Sequence, residues 1–149
     1  MGLALTIRTA HADDLSRLLA LYQHLTPNNA PFSIEAAQAI FARFQAYAGS
    51  TILLGEQGER LVSSCTVVIV PNLTRGGLPY ALIENVVTHT DHRGQGHGTA
   101  MLNAATRLAW DHDCYKAMLM TGSKDRATLC FYEAAGFAQS KTGFQKRRI

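Results

Sequence analysis

Six consecutive residues, Arg93-Gly94-Gln95-Gly96-His97-Gly98, carry the strongest chemical signal in the chain. They follow Tyr80 to Thr88, which reads as an apolar strand with Ile83, Val86 and Val87, and a helical pattern starts directly behind them. Glycines let a backbone turn tightly and bring successive N–H groups against an anion. The helix start adds about half a unit of positive charge, and Arg93 adds a formal one. The chemistry this predicts is the cradling of a pyrophosphate. A dinucleotide G-x-G-x-x-G fingerprint is excluded, because Thr99 stands where its third glycine belongs; a P-loop is excluded because no lysine follows the glycines. What fits is R-x-x-G-x-G, read on Arg93, Gly96 and Gly98.

Glu84 is the second candidate. It sits inside the otherwise apolar strand before the turn, and a carboxylate in such a run needs a purpose or a partner. Free alkylamines are mostly protonated at neutral pH, as lysine's pKa of about 10.4 shows, and a carboxylate can take that proton directly or through water. Pairing with a nearby cation, or binding an acceptor, is the alternative role. The three cysteines, Cys65, Cys114 and Cys130, are odd in number and widely spaced, which suits a reducing cytoplasm better than a disulfide framework. His89, His92 and His97 flank the glycine turn without a matching carboxylate arrangement, so no metal is expected.

The turn, in its strand-turn-helix setting, resembles the coenzyme-A motif of the GNAT superfamily of acetyl-CoA-dependent N-acetyltransferases. A second match follows about forty residues on: Phe131-Tyr132-Glu133-Ala134-Ala135-Gly136-Phe137 is similar to that family's aromatic-Tyr-Glu-x-x-Gly-Phe helix. The resemblance implies that Arg93, Gly94, Gln95, Gly96, His97, Gly98 and Thr99 hold acetyl-CoA as co-substrate. It implies that the backbone of Val86 and Val87 bonds the pantetheine arm and polarises the acetyl carbonyl. Tyr132 would protonate the departing thiolate and Glu84 would act as base, so the amine attacks acetyl-CoA directly. A covalent route is disfavoured, since Cys130 is turned about 200° from Tyr132 on one helix and Cys65 and Cys114 have no evident base beside them. Asp125 stands where many relatives place a pantetheine-contacting asparagine, and caps the helix as well.

For the acceptor, Ile83-Glu84-Asn85-Val86-Val87 and Cys114-Tyr115-Lys116 look most like the glucosamine-6-phosphate N-acetyltransferase branch. Those enzymes usually carry Glu-Asp where this chain has Glu84-Asn85. The relatives form the acceptor wall from the loop that is Thr26 to Phe32 here, so the resemblance implies that Phe32 lines the acceptor site with Glu84 and Asn85. Amino-sugar phosphates, other small amines and a protein N-terminus or lysine all remain open. So does a non-catalytic acyl-CoA-binding module, although Glu84 and Tyr132 together argue against it.

The elements that must position these groups read as a mixed α/β layer in the order β-α-α-β-β-β-α-β-α-β-β. Leu3 to Arg8 is a strand; Ala12 to Leu25 is a helix, with Leu15, Leu18, Leu19 and Tyr22 at helical spacing. Ser33 to Ala48 is a second helix, capped by Ser33 and ended by Gly49. Thr51 to Glu56 and Arg60 to Val70 form a hairpin about Gln57-Gly58-Glu59. Gly98 to Asp111 is a helix, Ala117 to Thr121 a strand, and Asp125 to Ala135 a helix stopped by Gly136. Two last strands are expected over Phe137 to Lys141 and Phe144 to Arg148.

At 149 residues the chain suits one domain, here read as residues 1–149. A net charge of +3, with the basic run confined to Lys146-Arg147-Arg148, lacks the stripe a nucleic-acid partner needs. No apolar stretch suggests a signal peptide or membrane partner, and a cytoplasmic location is expected. Homodimers are common among the relatives, with the C-terminal strands as the expected edge.

Overall fold

The computed structural model describes residues 2–30 and 32–148. Among these residues five strands form one sheet in the order β1 (Leu5–Thr9), β2 (Thr51–Gln57), β3 (Arg60–Val70), β4 (Tyr80–Thr88), β5 (Ala117–Met118). Neighbours are antiparallel through β4, and β5 runs parallel to β4. Among the described residues, four α-helices cover the sheet: α1 (Leu15–Tyr22), α2 (Ile34–Gln45), α3 (His97–Asp111) and α4 (Arg126–Ala134).

The two faces of the sheet bury different helices. Cys65, Val67, Ala81 and Ile83 pack with Met101, Leu102, Ala105 and Ala109 of α3. On the other face, Leu54, Leu61 and Val87 meet Leu15, Leu18 and Leu21 of α1 and Ala37 and Phe41 of α2. These helical positions recur every three or four residues, so one stripe of each helix is apolar. Leu18, 1% exposed, contributes about 2 kcal/mol by leaving water.

Local signals are honoured where the chemistry is strong. Ser33 Oγ accepts from Ala36 N–H at 3.1 Å and starts α2. Gly58, at φ +60°, closes the β2–β3 hairpin. The helix expected from Ala12 begins as a 3-10 turn over Ala12–Asp14. That turn is tied by Arg8 on β1, whose guanidinium donates to both carboxylate oxygens of Asp14, at 2.8 and 2.7 Å, and to both of Glu56 on β2. Arg17 on α1 donates to the same two carboxylates. The paired cations hold Asp14 and Glu56 below the usual carboxylate range.

The two strands expected after α4 are corrected by the structure: residues 137–148 carry no strand. The fifth strand, expected over Ala117 to Thr121, pairs only at Ala117 and Met118 and offers no ladder for them to join. Phe144, the apolar residue of the last segment, is exposed. No helix among the described residues is long and apolar enough to cross a membrane.

Candidate active site

The site is organised by two irregularities at the carboxyl half of β4. The first is a bulge: β3 and β4 pair Thr66 with Glu84, then Ser64 with Val87, so β4 carries one residue more than β3 between these pairs. Asn85 takes up the bulge at φ +52°, a left-handed conformation that asparagine tolerates better than most side-chain-bearing residues. The bulge resets the alternation of side chains. Ile83 and Val86 both pack on the α3 face, while Val87 belongs to the α1–α2 face.

The second irregularity is a parting of strands. β4 pairs with β5 only at Ala81 and Leu82, so from Ile83 onward the β4 edge on that side has no strand neighbour. Val86 is also skipped in the ladder with β3. Its backbone groups, and those along this edge, are placed to bond an extended ligand as a further strand would. Val87 is differently engaged: Ser63 Oγ donates to its carbonyl at 2.9 Å.

Beyond Thr88 a 3-10 turn, Thr90–His92, leads into the glycine loop. Gly94 and Gly96 have φ of +73° and +81°, a conformation that would strain any residue with a Cβ. Gly96 precedes α3 without a side-chain cap, and the N–H groups of Gly94 to Thr99 find no acceptor among the described residues. Free amides at a helix start form an anion cradle. Gln95 lies exposed in it, and Thr99 lies in the first turn of α3.

Three predicted cradle residues have roles the sequence reading did not assign. Gly98 is the place where α4 touches the cradle: a Cβ there would lie 2.9 Å from Phe131 Cζ. His97 is buried, and its Nε2 finds no hydrogen-bond partner among the described residues. Burial, and then His92, hold His97 below the usual imidazole pKa; burial and His24 do the same for His89. Arg93 donates from Nε to Thr88 O and from Nη2 to His24 O, both at 3.2 Å, so it ties the loop to the end of α1 while bringing its charge.

Tyr132 is half-buried on α4 beside Phe131, with ring centroids 4.9 Å apart. Burial raises its phenol pKa, which keeps it a proton donor at neutral pH. Asp125 caps α4, accepting from Ala127 N–H at 3.4 Å. On the α1–α2 face, Glu84 is exposed, and the neighbouring Asn85 lines a cavity of about 610 Å³ together with Tyr22, Asn29 and Phe32. The structure thus brings Phe32 and Asn85 into one cavity.

Tyr22 was placed by sequence only in the apolar stripe of α1. It lines this cavity with its phenol on the side of Thr66 and Ser64 of β3, and burial raises its pKa. Its partners lie more than forty residues away, so no local pattern announced it. Among the thiols, burial pushes Cys65 up to about 12 and also raises Cys114, leaving neither as a ready nucleophile. Among the described residues no three His, Cys, Asp or Glu side chains are grouped to hold a metal ion.

The fold that carries this site has counterparts among known proteins. The family described as Acetyltransferase (GNAT) matches residues 17–137, and the chain belongs to it. The chain is 32% identical over 133 residues to a glucosamine 6-phosphate N-acetyltransferase of Trypanosoma brucei brucei, covering 89% of this chain and 88% of the relative. A putative acetyltransferase from Agrobacterium tumefaciens superposes with a TM-score of 0.92 at 45% identity, covering 96% of this chain and 99% of that one. A Trypanosoma brucei acetyltransferase structure superposes with a TM-score of 0.84 at 30% identity, covering 97% and 100%. The chain is therefore an acetyltransferase.

Proposed function

We propose that this acetyltransferase moves the acetyl group of acetyl-CoA directly to a primary amine of a small molecule. The observation that carries the reading is the run of unpaired N–H groups from Gly94 to Thr99, set beside the free edge of β4. The cradle suits the coenzyme's pyrophosphate and the strand edge suits its pantetheine arm. Val86 N–H would polarise the acetyl carbonyl. The amine nitrogen bonds to the carbonyl carbon as the carbon–sulfur bond breaks. The thiolate takes a proton from the Tyr132 phenol, and the amine's surplus proton passes to Glu84, directly or through water.

The whole of residues 1–149 is taken as one working domain in the cytoplasm, where three free thiols suit a reducing setting. We also take a second copy of the chain as its partner. The β5 edge is short, and Met118, Met120 and Phe144 are exposed around it. The trypanosomal relative favours an amino-sugar phosphate as acceptor; a protein amine is the other class the family resemblance leaves open.

The test is thiol release from acetyl-CoA against a panel of amines that includes glucosamine 6-phosphate, amino acids, polyamines and an N-terminal peptide. Amine-dependent release by a small molecule supports the reading. Release with the peptide alone moves the acceptor to protein, and binding of acetyl-CoA without release from any amine reduces the chain to a binding module.

A further inference from the structure

The cavity lined by Asn85, the residue after Glu84, has a chemical character that narrows the acceptor. Its apolar walls are Leu19, Leu25 and Phe32, with the Tyr22 ring at its side; its polar groups are the amides of Gln23, Asn29 and Asn85 and the hydroxyls of Tyr22 and Thr26. None of the described residues lining it is Lys, Arg, Asp or Glu. Its volume of about 610 Å³ lies in the range of small-molecule sites.

A phosphate group is recognised by charge-assisted bonds, most often from arginine or lysine. Several cations on the surrounding elements are engaged by other groups. Arg93 is held by two carbonyls, His24 O and Thr88 O. Arg8 and Arg17 are held by Asp14 and Glu56. Arg75 stacks on the Tyr115 ring, and Lys116 on those of Tyr80 and Tyr115. Placing a phosphate dianion against amides and aliphatic walls, with no cation, carries a large desolvation cost. Asn85 adds no charge of either sign. An ammonium group is better served, since the aromatic rings of Tyr22 and Phe32 attract cations and Glu84 stands next to Asn85 on the strand.

Resting on the acetyltransferase reading above, we infer that the acceptor is a primary amine carried on an uncharged, largely apolar body, and that a phosphorylated amino sugar is not its substrate. The amine end lies toward Glu84, and the apolar body lies against Leu19, Tyr22, Leu25 and Phe32. Specificity on this account is set by the walls from α1 and the loop after it, and Gln23 on the same wall is the position where one new cation would change it.

The deciding experiment is calorimetric titration of the CoA-loaded protein with 2-phenylethylamine and with glucosamine 6-phosphate, followed by thiol-release assays with both. The expected result is binding of 2-phenylethylamine tighter by at least about tenfold, with the order reversed or levelled in Gln23→Arg. Equal or tighter binding of glucosamine 6-phosphate overturns the inference, as does failure of 2-phenylethylamine to bind. An unchanged preference in Gln23→Arg also overturns it, by removing this cavity from acceptor choice. The two readings separate cleanly: amine binding without thiol release sinks the transferase reading alone, whereas turnover of the phosphorylated sugar sinks only the acceptor class.

Discussion

Phe131 lies so close over Gly98 that a single added methyl group would sit 2.9 Å from its Cζ. The last glycine of the cradle motif is therefore a contact between α3 and α4, and Tyr132 is the next residue along. Gly98 has no positive φ to explain it, unlike Gly94 and Gly96.

Gly98→Ala should consequently act at a distance from the cradle. The Phe131 ring must move, at an overpacking cost of about 1–2 kcal/mol, and the turn of α4 that carries Tyr132 moves with it. Urea midpoints should fall and turnover should drop by about tenfold, with coenzyme affinity changing less. Unaltered turnover together with unaltered stability would show that the ring yields freely and that the glycine is dispensable there.

Tyr132→Phe removes only the phenolic oxygen. Turnover should fall by about 10²-fold, the lower range for a general acid, while the dissociation constant of acetyl-CoA stays the same. Burial raises the Tyr132 pKa, so the donor form persists at least up to the ordinary phenol value of about 10. In the wild type, kcat should therefore show no alkaline loss from this group below about pH 10. A decline at lower pH that disappears in Tyr132→Phe would contradict the stated direction of the shift.

Legibility in the sequence followed the range of the interactions. The cradle was readable because its glycines, its strand and its helix are contiguous, and Ser33 and Asp125 were readable as caps because they bond two or three residues away. The bulge was not, because Ile83-Glu84-Asn85-Val86-Val87 is as compatible with an unbroken strand; only the pairing with Ser64 and Thr66 reveals the extra residue. The same holds for Tyr22, whose partners come from β3, and for Arg8, whose carboxylates come from both Asp14 and Glu56. The final strands failed for the opposite reason. Each of the two segments has only one large apolar residue, Phe137 and Phe144, and a strand needs a paired edge, whereas β5 ends after two residues.

Asn85 at φ +52° offers a test of the bulge by backbone preference alone. Asn85→Gly should preserve stability to within about 0.5 kcal/mol, since glycine adopts this conformation freely. Asn85→Val should cost about 1–3 kcal/mol, because a β-branched residue is strained there, and should lower turnover further as the bulge shifts Glu84 and Val86. Equal thermal midpoints for the two variants would mean that the bulge relaxes without consequence.

The Arg8–Asp14–Glu56–Arg17 cluster predicts an acid-sensitive contribution to stability. Both carboxylates have folded pKa values below their unfolded ones. Their contribution is thus complete above the unfolded range of about 4 and is lost as pH falls through the folded values. Asp14→Asn should cost about 2 kcal/mol at pH 7, where it leaves Arg8 and Arg17 short of a charged partner. The gap between variant and wild type in urea should narrow below about pH 4. A gap independent of pH would assign the loss to packing around the buried Asp14 instead.

Arg93 makes the last prediction, because its two carbonyl bonds join the glycine loop to the segment that walls the cavity. Thr88 O ends β4, and His24 O lies just past α1, two residues before Thr26 of the cavity lining. Removing the guanidinium frees both at once. Arg93→Ala should weaken acetyl-CoA binding by about tenfold through the lost charge, and should also raise the acceptor KM at saturating acetyl-CoA. Arg93→Lys keeps the charge and loses the two-armed geometry, so it should restore much of the coenzyme affinity while leaving the acceptor KM high. If lysine restores both constants together, the carbonyl bonds are incidental and Arg93 acts through its charge alone.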